Sequence, residues 1–442
     1  MRPIFIRAFL DVTENKLIFD MEERFGPEAG YTWMTDLAST VEEVIAPSLT
    51  GVEKLSEIEW RYGGKTIDYW MPDEQTSESV KVSRNERAQG TAPVLVAAGH
   101  GAYYHHGFKS WTTHRAEKYG IIEDNITPKL AAELVNYLKL NQFHAAEVRS
   151  SSAFTTHEPS GKPFWEVGAR YHLQAAMPDV PSIWHSLPDS VAPNREAKED
   201  IKSRPLYANH VGAPAIFHLH TNAVDPPGDI STRGARAYVF TGQTESARLA
   251  KLALCSMREL IHSVDRFHDF PVAVEPHSST KHAETKLANM PAVIIETAFH
   301  THPEDAQLLK DPEFRKLAMM GVAKGYKLFN EGATCAPFVL ADHEPFDVPV
   351  GEQVSMPVAL SGNPYYPVDV RYTPSRCLRE PCKTKGKLLF SAQQVEAFGI
   401  TYSCGRNDIA EGPIDYEVFA KDSYGVMTNR VHYRLTCKNR HR

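Results

Sequence analysis

The chain has 442 residues, of which 42% are hydrophobic and 23% are charged, so it can bury a sizeable core in two or three domains. Its formal net charge of −7 gives no electrostatic basis for binding nucleic acid or an anionic membrane surface. No segment approaches the roughly 20 consecutive apolar residues of a membrane-spanning helix. Composition therefore favours a globular protein and argues against nucleic-acid partners and membrane spans.

Residues 1–90 form an N-terminal region of unknown role. They begin with two strand-like segments, PIFIRAFL and KLIFDM, continue through a predicted helix around Thr40–Ala46 and end in a polar linker, DEQTSESVKVSRNERAQG. The first ten residues do not make a clear signal peptide, because Arg7 interrupts their apolar run and no small-residue cleavage site follows.

Residues 91–332 alternate apolar strand runs with helix-period segments, which predicts an α/β domain with an open, mostly parallel twisted sheet and flanking helices. Three of the apolar runs end in polar residues: APVLVAAGH in His100, APAIFHLH in His218 and His220, and MPAVIIE in Glu296. Ligands bind beyond the carboxyl ends of strands in such sheets, so we expect these side chains to converge there.

Further elements of this domain are predicted from local patterns. ITPKLAAELVNYLKL predicts a helix that starts just after Glu123, with Thr127 as N-cap and Pro128 at the first helical position. Ala145–Val148 is a candidate edge strand, and Cys255 is interpreted as a packing residue of a second long helix. The apolar face of the first helix comprises Ile126, Leu130, Leu134, Val135 and Leu138.

His100, Glu123 and His220 form a candidate metal site. Two imidazoles and one carboxylate are a set used by catalytic zinc sites that keep a fourth position open for water. Glu296 is the candidate base, which would take a proton from the metal-bound water and hand it to a leaving amine in amide hydrolysis. His218 is interpreted as a core residue or as a neighbour of a ligand.

These residues occur in an order that resembles one family. The motifs that carry the resemblance are GHG at 99–101, Glu123 before its helix, Arg204 ahead of Ala208-Asn209, LHTNA at 219–223 and MPAVIIETAF at 290–299. Over about residues 93–330 the chain resembles the zinc-dependent N-acetylmuramoyl-L-alanine amidases. The resemblance implies hydrolysis of the amide between N-acetylmuramic acid and the L-alanine of peptidoglycan stem peptides, and a sheet like that of zinc carboxypeptidases. It implies one Zn²⁺ per chain, held by His100, Glu123 and His220, with Glu296 as the catalytic carboxylate. Arg204 and Asn222 are candidate substrate-binding residues.

The chain departs from the family pattern in two places. AAGHGAYY lacks the aspartate and second glycine that usually surround the family's His-Gly, and an insertion of about residues 150–203 follows the edge strand. Long loops are usually functional or disordered, so the insertion could form a lid or an autoinhibitory segment, and its aromatic residues could stack on sugars. For those aromatic residues, packing in the core is the favoured role. Those aromatic residues are Phe164, Trp165, Tyr171 and Trp184. Weaker ligand candidates, which end no strand, are His157, His172 and His185.

Residues 333–442 change to short alternating strands separated by turns, which predicts an immunoglobulin-like β-sandwich. This domain is a candidate contact for the cell wall or a partner protein. Five of the six cysteines lie at or after Cys335, which favours disulfides, with Cys377–Cys382 and Cys404–Cys437 as candidate pairs and one cysteine left over. Disulfides would place the protein outside the cytoplasm: periplasmic, secreted or associated with the cell wall.

Two other functions remain open on the same residues. A zinc exopeptidase would need a positive pocket for a terminal carboxylate, which Arg204, Arg233 and Arg236 could supply. A non-catalytic peptidoglycan-binding protein would hold the substrate without cutting it, although an intact ligand set and base argue against that function.

Overall fold

A computed structural model describes residues 5–13, 16–23, 57–66, 92–149, 151, 154–224, 232–377 and 382–439. The helix predicted around Thr40–Ala46 and the linker that ends at Gly90 lie outside these residues. The chain divides into two compact units, Met1–Met257 with Pro271–Phe329 and Arg258–Phe270 with Asn330–Arg442. Within the described ranges, no helix has the length and apolar character needed to cross a bilayer.

The first unit begins with a four-stranded sheet in the order β1-β2-β3-β4. Its strands are β1 (Ile6–Asp11), β2 (Lys16–Met21), β3 (Glu57–Tyr62) and β4 (Lys65–Thr66). The first two coincide with the strand-like segments of the sequence, so that prediction is confirmed. Phe19 stacks on Trp60 with ring centroids 4.9 Å apart, and both rings are buried, which gives this sheet an apolar face of its own.

An α/β arrangement follows between residues 92 and 330. Its strands are β5 (Val94–Ala98), β6 (Tyr103–His105), β7 (Ser110–Thr112), β8 (Ala145–Glu147), β9 (Thr156–His157), β10 (Lys162–Pro163), β11 (Ile216–Asn222), β12 (Arg236–Phe240), β13 (His277–Ser279) and β14 (Ala292–Phe299). Its helices are α1 (Glu123–Leu140), α2 (Ala169–Ala176), α3 (Pro181–Trp184), α4 (Arg195–Val211), α5 (Thr244–Ile261), α6 (Ala283–Lys286), α7 (Pro303–Lys310) and α8 (Pro312–Asn330).

Six of these strands form the central sheet, in the order β13-β12-β14-β11-β5-β8. Neighbouring strands are parallel except for β12 and β14, so the sheet is mixed and mostly parallel, as predicted. The strands β5 and β11 are buried along their whole length, as expected for central strands covered on both faces. The predicted edge strand is β8, and the five apolar residues predicted on one face of α1 are buried.

Helix α1 begins at Glu123, so the prediction that Thr127 caps it was wrong. Pro128 lies inside the helix instead of at its first position, and it has no N–H to donate to the carbonyl of Asp124 four residues earlier. Nη2 of Arg149 donates to that carbonyl at 2.5 Å. The structure outside the helix therefore compensates for the proline, which a local capping pattern does not reveal.

The second unit is rich in β structure. Its strands are β15 (Val339–Leu340), β16 (Phe346–Pro349), β17 (Gln353–Pro357), β18 (Leu360–Ser361), β19 (Val368–Pro374), β20 (Lys385–Leu389), β21 (Gly399–Ser403), β22 (Ile414–Lys421) and β23 (Val431–Lys438), and its short helices are α9 (Ala392–Glu396) and α10 (Arg406–Glu411). Five strands form one sheet in the order β16-β23-β22-β19-β20, while β17 pairs with β21 and β15 with β18. Only the pairing of β16 with β23 is parallel among these.

Cys377 is bonded to Cys382 and Cys404 to Cys437, which confirms both predicted pairs. All six cysteines are disulfide-bonded, so the prediction of one leftover thiol was wrong. Cys255 is among the bonded residues, which corrects its interpretation as a packing residue. On a buried helix face, a bonded and a free cysteine have the same sequence signature.

Candidate metal centre

His100, Glu123 and His220 come together at one edge of the central sheet. His100 follows β5, Glu123 opens α1, and His220 lies near the end of β11. One ligand atom from each side chain lies within 4.8 Å of the other two, and all three residues are buried. Nδ1 of His220 is 3.0 Å from Oε1 of Glu123, and Nε2 of His100 is 3.6 Å from its Oε2. The structure thus gathers the three residues of the candidate metal site.

The unmet polar atoms of this cluster fit a metal ion. In the part of the chain that the structure describes, Nδ1 of His100 and Oε2 of Glu123 are buried and form no hydrogen bond. Such atoms are costly to bury without a partner. Nε of Arg115 lies 3.3 Å from Oε2 of Glu123, so the carboxylate also has a cationic partner. Two imidazole nitrogens and one carboxylate oxygen are ligands that zinc accepts.

Gly99 allows the ring of His220 to approach β5. A Cβ atom on Gly99 would lie 2.6 Å from Nδ1 of His220 and 2.6 Å from the carbonyl oxygen of Leu219, closer than real Cβ contacts. The N–H of Gly99 donates to that same carbonyl at 2.8 Å, and the hydroxyl of Thr127 donates to the carbonyl of Gly99 at 2.7 Å. The glycine is therefore required by close approach of β5, β11 and α1.

His100 has an unusual backbone conformation that Arg149 stabilises. Its φ is 57°, in the left-handed region that residues other than glycine rarely adopt. Nη1 of Arg149 donates to the carbonyl of His100 at 2.6 Å, and Nε donates to that of Trp165 at 3.1 Å. The arginine is fully buried and also binds the first turn of α1, so it links the segments that carry two of the candidate ligands. Sequence reasoning missed it.

Glu284, in the short helix α6, is a second missed residue. Its Oε1 lies 2.9 Å from Nε2 of His220, 2.5 Å from Nη1 of Arg204 and 3.4 Å from Nδ1 of His218. Burial alone would raise the pKa of Glu284, but Arg204 and His220 hold it well below its usual range. Burial likewise favours neutral His220, but the carboxylates of Glu284 and Glu123 outweigh this effect and raise the pKa of His220 to about 10.

Glu296 lies beside His220, because the two residues are partners in the parallel pairing of β14 and β11. The strand β14 continues to Phe299, so Glu296 does not end it as predicted; beyond a register shift that follows His220, Phe299 pairs with Asn222. Oε2 of Glu296 is buried and forms no hydrogen bond within the described residues. Burial raises the pKa of Glu296 to about 8, although His220 opposes the shift.

Arg204 and Asn222, the candidate substrate-binding residues, are both buried. Arg204 lies in α4 and is 0% exposed, and Oδ1 of Asn222 accepts a hydrogen bond from the N–H of Ala223 at 2.8 Å. Their binding of substrate stays a prediction. Arg233, considered for an exopeptidase pocket, has Nε 3.1 Å from Oδ1 of Asp305. Two of the three arginines that such a pocket would need thus already have carboxylate partners.

The insertion at about residues 150–203 is ordered by packing. It contains α2, α3 and the first half of α4. Tyr171 is buried in a cluster with Tyr103, against which Phe164 packs, and Trp184 packs against a neighbouring apolar cluster. This is the role that was favoured for its aromatic residues. His185 hydrogen-bonds Glu199, so it is engaged away from the candidate metal ligands.

Two imidazoles and two carboxylates at the edge of a mostly parallel sheet define a candidate metal-dependent hydrolase. The profile of the Amidase_3 family, described as N-acetylmuramoyl-L-alanine amidase, matches residues 94–327. That range is more than half of the chain, and the chain belongs to this family of peptidoglycan amidases. The resemblance seen in the sequence is thereby confirmed, as is the enzyme class that it implied.

Several solved structures are similar to part of the chain. The CwlD amidase from Clostridioides difficile is 17% identical, with 55% of this chain and 99% of that chain covered and a TM-score of 0.35. Ami1 from Mycobacterium smegmatis is 16% identical, with 55% and 98% covered and a TM-score of 0.37. AmiC2 of Nostoc punctiforme is 15% identical, with 55% and 99% covered and a TM-score of 0.35. The comparison with curated proteins gives no match.

Proposed function

We propose that His100, Glu123 and His220 hold one zinc ion per chain and that Glu296 is the catalytic carboxylate of the amidase. The observation that carries this proposal is the buried cluster itself, whose three candidate ligand atoms lie within 4.8 Å of one another. Glu296 is the register partner of one of these ligands, which puts a fourth titratable group on the same face of the sheet.

When bound, zinc supplies a Lewis acid that polarises the scissile carbonyl and acidifies water. Glu296 supplies the proton transfers. Its buried Oε2, which no described group hydrogen-bonds, is available to accept a proton from the attacking water. Burial raises the pKa of Glu296, so the carboxyl holds the proton that it has accepted and can donate it to the departing amine of L-alanine.

The substrate and location follow from the family and from the cysteines. The family acts on the amide between N-acetylmuramic acid and L-alanine in peptidoglycan, and we propose this bond as the one cleaved. Disulfide bonding of all six cysteines supports an extracytoplasmic location: periplasmic, secreted or associated with the cell wall.

The proposed domains are residues 1–90, 91–332 and 333–442. For the last, an immunoglobulin-like β-sandwich is supported by a five-stranded sheet accompanied by the β17–β21 pair. This domain is the proposed site of cell-wall or protein contact. Removing residues 333–442 should weaken retention on purified cell walls if that role is right, whereas unchanged retention would contradict it.

Hydrolysis of purified peptidoglycan, with and without a chelator, tests the activity. Mass spectrometry should find stem peptides with a free L-alanine amine and glycan strands stripped of peptide, and only when metal is present. Release of single amino acids instead would indicate an exopeptidase. A protein that binds zinc but leaves peptidoglycan intact at any pH would be a binding protein.

Two variants test the assigned roles. Glu296→Gln should abolish hydrolysis while zinc content stays near one per chain, because the amide keeps the shape but cannot transfer the proton. His220→Ala should lose both zinc and activity, because it removes a ligand. Near-wild-type turnover by Glu296→Gln would exclude this carboxylate as the base.

A further inference from the structure

Resting on the proposed zinc site, we propose that Glu284 is its positioning residue: the carboxylate fixes the ring of His220 so that Nδ1 faces the metal. Glu284 does not touch the candidate metal position. It acts through the opposite nitrogen of the ligand ring, and it therefore sets how tightly the metal is held.

The two nitrogens of His220 face different carboxylates. Nδ1 is 3.0 Å from Oε1 of Glu123, on the side of the metal ligands, and Nε2 is 2.9 Å from Oε1 of Glu284. A neutral imidazole carries one N–H and one lone pair. When Nε2–H donates to Glu284, Nδ1 carries the lone pair. A metal held by Glu123 would bind His220 through that lone pair.

Glu284 is itself held rigidly. Nη1 of Arg204 donates to its Oε1 at 2.5 Å, and Nη2 of Arg204 lies 3.3 Å from Oδ2 of Asp200. Glu284 is 6% exposed, and Arg204 and Asp200 are 0% exposed. Charges this deeply buried are stable only in a fixed, paired arrangement, so the series Asp200, Arg204, Glu284 has little freedom to move away from the ring.

The Cε1 atom of the ring lies against backbone. Gly99 leaves no room beyond its own hydrogen, since a Cβ there would come nearest to Cε1 of His220. The N–H of Thr221 donates to Oε1 of Glu123 at 3.0 Å, which orients the carboxylate that shares the metal. Ring and carboxylate are therefore positioned from outside the ligand set, and Glu284 provides the charged part of that positioning.

Replacing Glu284 should weaken metal binding without removing a ligand. Partners of this kind typically contribute about 10- to 100-fold to metal affinity. We expect Glu284→Gln, whose amide oxygen can still accept from Nε2–H but carries no charge, to bind zinc about 10-fold more weakly. Glu284→Ala should bind zinc roughly 100-fold more weakly, and Glu284→Asp should recover part of the lost affinity.

Glu199 provides a matched control. It is also a fully buried carboxylate held by an arginine and a histidine, with Nη2 of Arg170 at 3.1 Å and Nδ1 of His185 at 2.7 Å. Neither partner belongs to the candidate metal ligands. Glu199→Gln should therefore reproduce the general cost of neutralising a buried, paired carboxylate and leave zinc affinity within about 2-fold of the wild type.

The experiment titrates metal-free full-length protein with zinc against a chromophoric chelator, and records the visible spectrum of the cobalt-substituted protein. Thermal unfolding of each metal-free variant identifies those that are folded. If Glu284→Ala does not fold, the zinc affinity of Glu284→Gln alone tests the role of Glu284. Weaker zinc binding and an altered cobalt spectrum for Glu284→Gln, with neither change in Glu199→Gln, would support the inference. Equal zinc affinity in Glu284→Gln, Glu199→Gln and wild type would overturn it. A wild-type protein that binds no zinc would instead refute the proposed function.

Discussion

Gly99→Ala should disable the metal centre without changing any residue proposed to bind metal or substrate. The added Cβ would lie 2.6 Å from both Nδ1 of His220 and the carbonyl oxygen of Leu219. Ordinary contacts between carbon and its neighbours lie near 3.5 Å or beyond, so each pair must separate by about 1 Å. The carbonyl of Leu219 cannot yield easily, because it accepts the N–H of Gly99 at 2.8 Å within two buried strands.

The ring of His220 must therefore move. Overpacking of this size costs about 1–3 kcal/mol of folding free energy, and a displacement of about 1 Å in a catalytic arrangement can lower the rate by roughly 100-fold. Zinc content, peptidoglycan hydrolysis and thermal unfolding measure the three consequences. In Gly405→Ala, used as a control, the new Cβ would have its nearest neighbour, Oδ2 of Asp408, at 3.3 Å. Wild-type zinc content and hydrolysis in Gly99→Ala would refute the steric argument.

Other predictions concern the scaffold and the metal. Arg149→Lys should lower the free energy of unfolding by about 2 kcal/mol or more and weaken zinc binding, since one ammonium cannot replace the guanidinium donors to four carbonyls; an unchanged midpoint of chemical denaturation would contradict this. Gly325→Ala should lower stability by about 1–3 kcal/mol, because its Cβ would lie 2.6 Å from the backbone nitrogen of Ala253; equal melting temperatures would count against it. Replacing Cys404 and Cys437 with alanine should cost about 2–4 kcal/mol in unfolding of the second unit, and no change would show that the bond constrains little. A chelator should lower the melting temperature of the wild type by removing a ligand that binds the folded state, an effect of about 2.7 kcal/mol at a metal concentration 100 times Kd.

The sequence was sufficient for the site residues that follow apolar runs. His100, His220 and Glu296 could be found because strands of a mostly parallel sheet deliver such residues to one edge. Glu123 could be placed because it precedes the helix that follows the first of these strands, and the resemblance to a family supported that position. Glu284 could not be found in this way, since it lies in the polar segment HAETK, and its contact with His220 spans 64 positions of the chain.

The same distinction explains the local errors. Thr127 and Pro128 match a helix start in sequence, but the true start lies at Glu123 because a buried arginine compensates for the missing N–H of the proline. Such compensation comes from Arg149, which lies beside the first turn of the helix only after the chain has folded. Local patterns therefore identify elements and strand ends well, and they fail where a long-range polar contact replaces a local one.

The buried charges around the site give a reason for the metal that is independent of the family. Asp200, Glu284 and Glu123 are carboxylates that burial should disfavour, and the guanidinium groups that lie against them are those of Arg204 and Arg115. Three negative charges face two guanidinium charges, and the third positive charge is the proton of His220, whose pKa these carboxylates raise to about 10. A buried negative charge is stable only when it is compensated. A divalent cation bound beside Glu123 and His220 takes over the charge of that proton, where Oε2 of Glu123 accepts no hydrogen bond from any described residue. The carboxylates that orient the ligands thus also supply the electrostatic attraction for the metal, which links the affinity of the site to residues that never contact it.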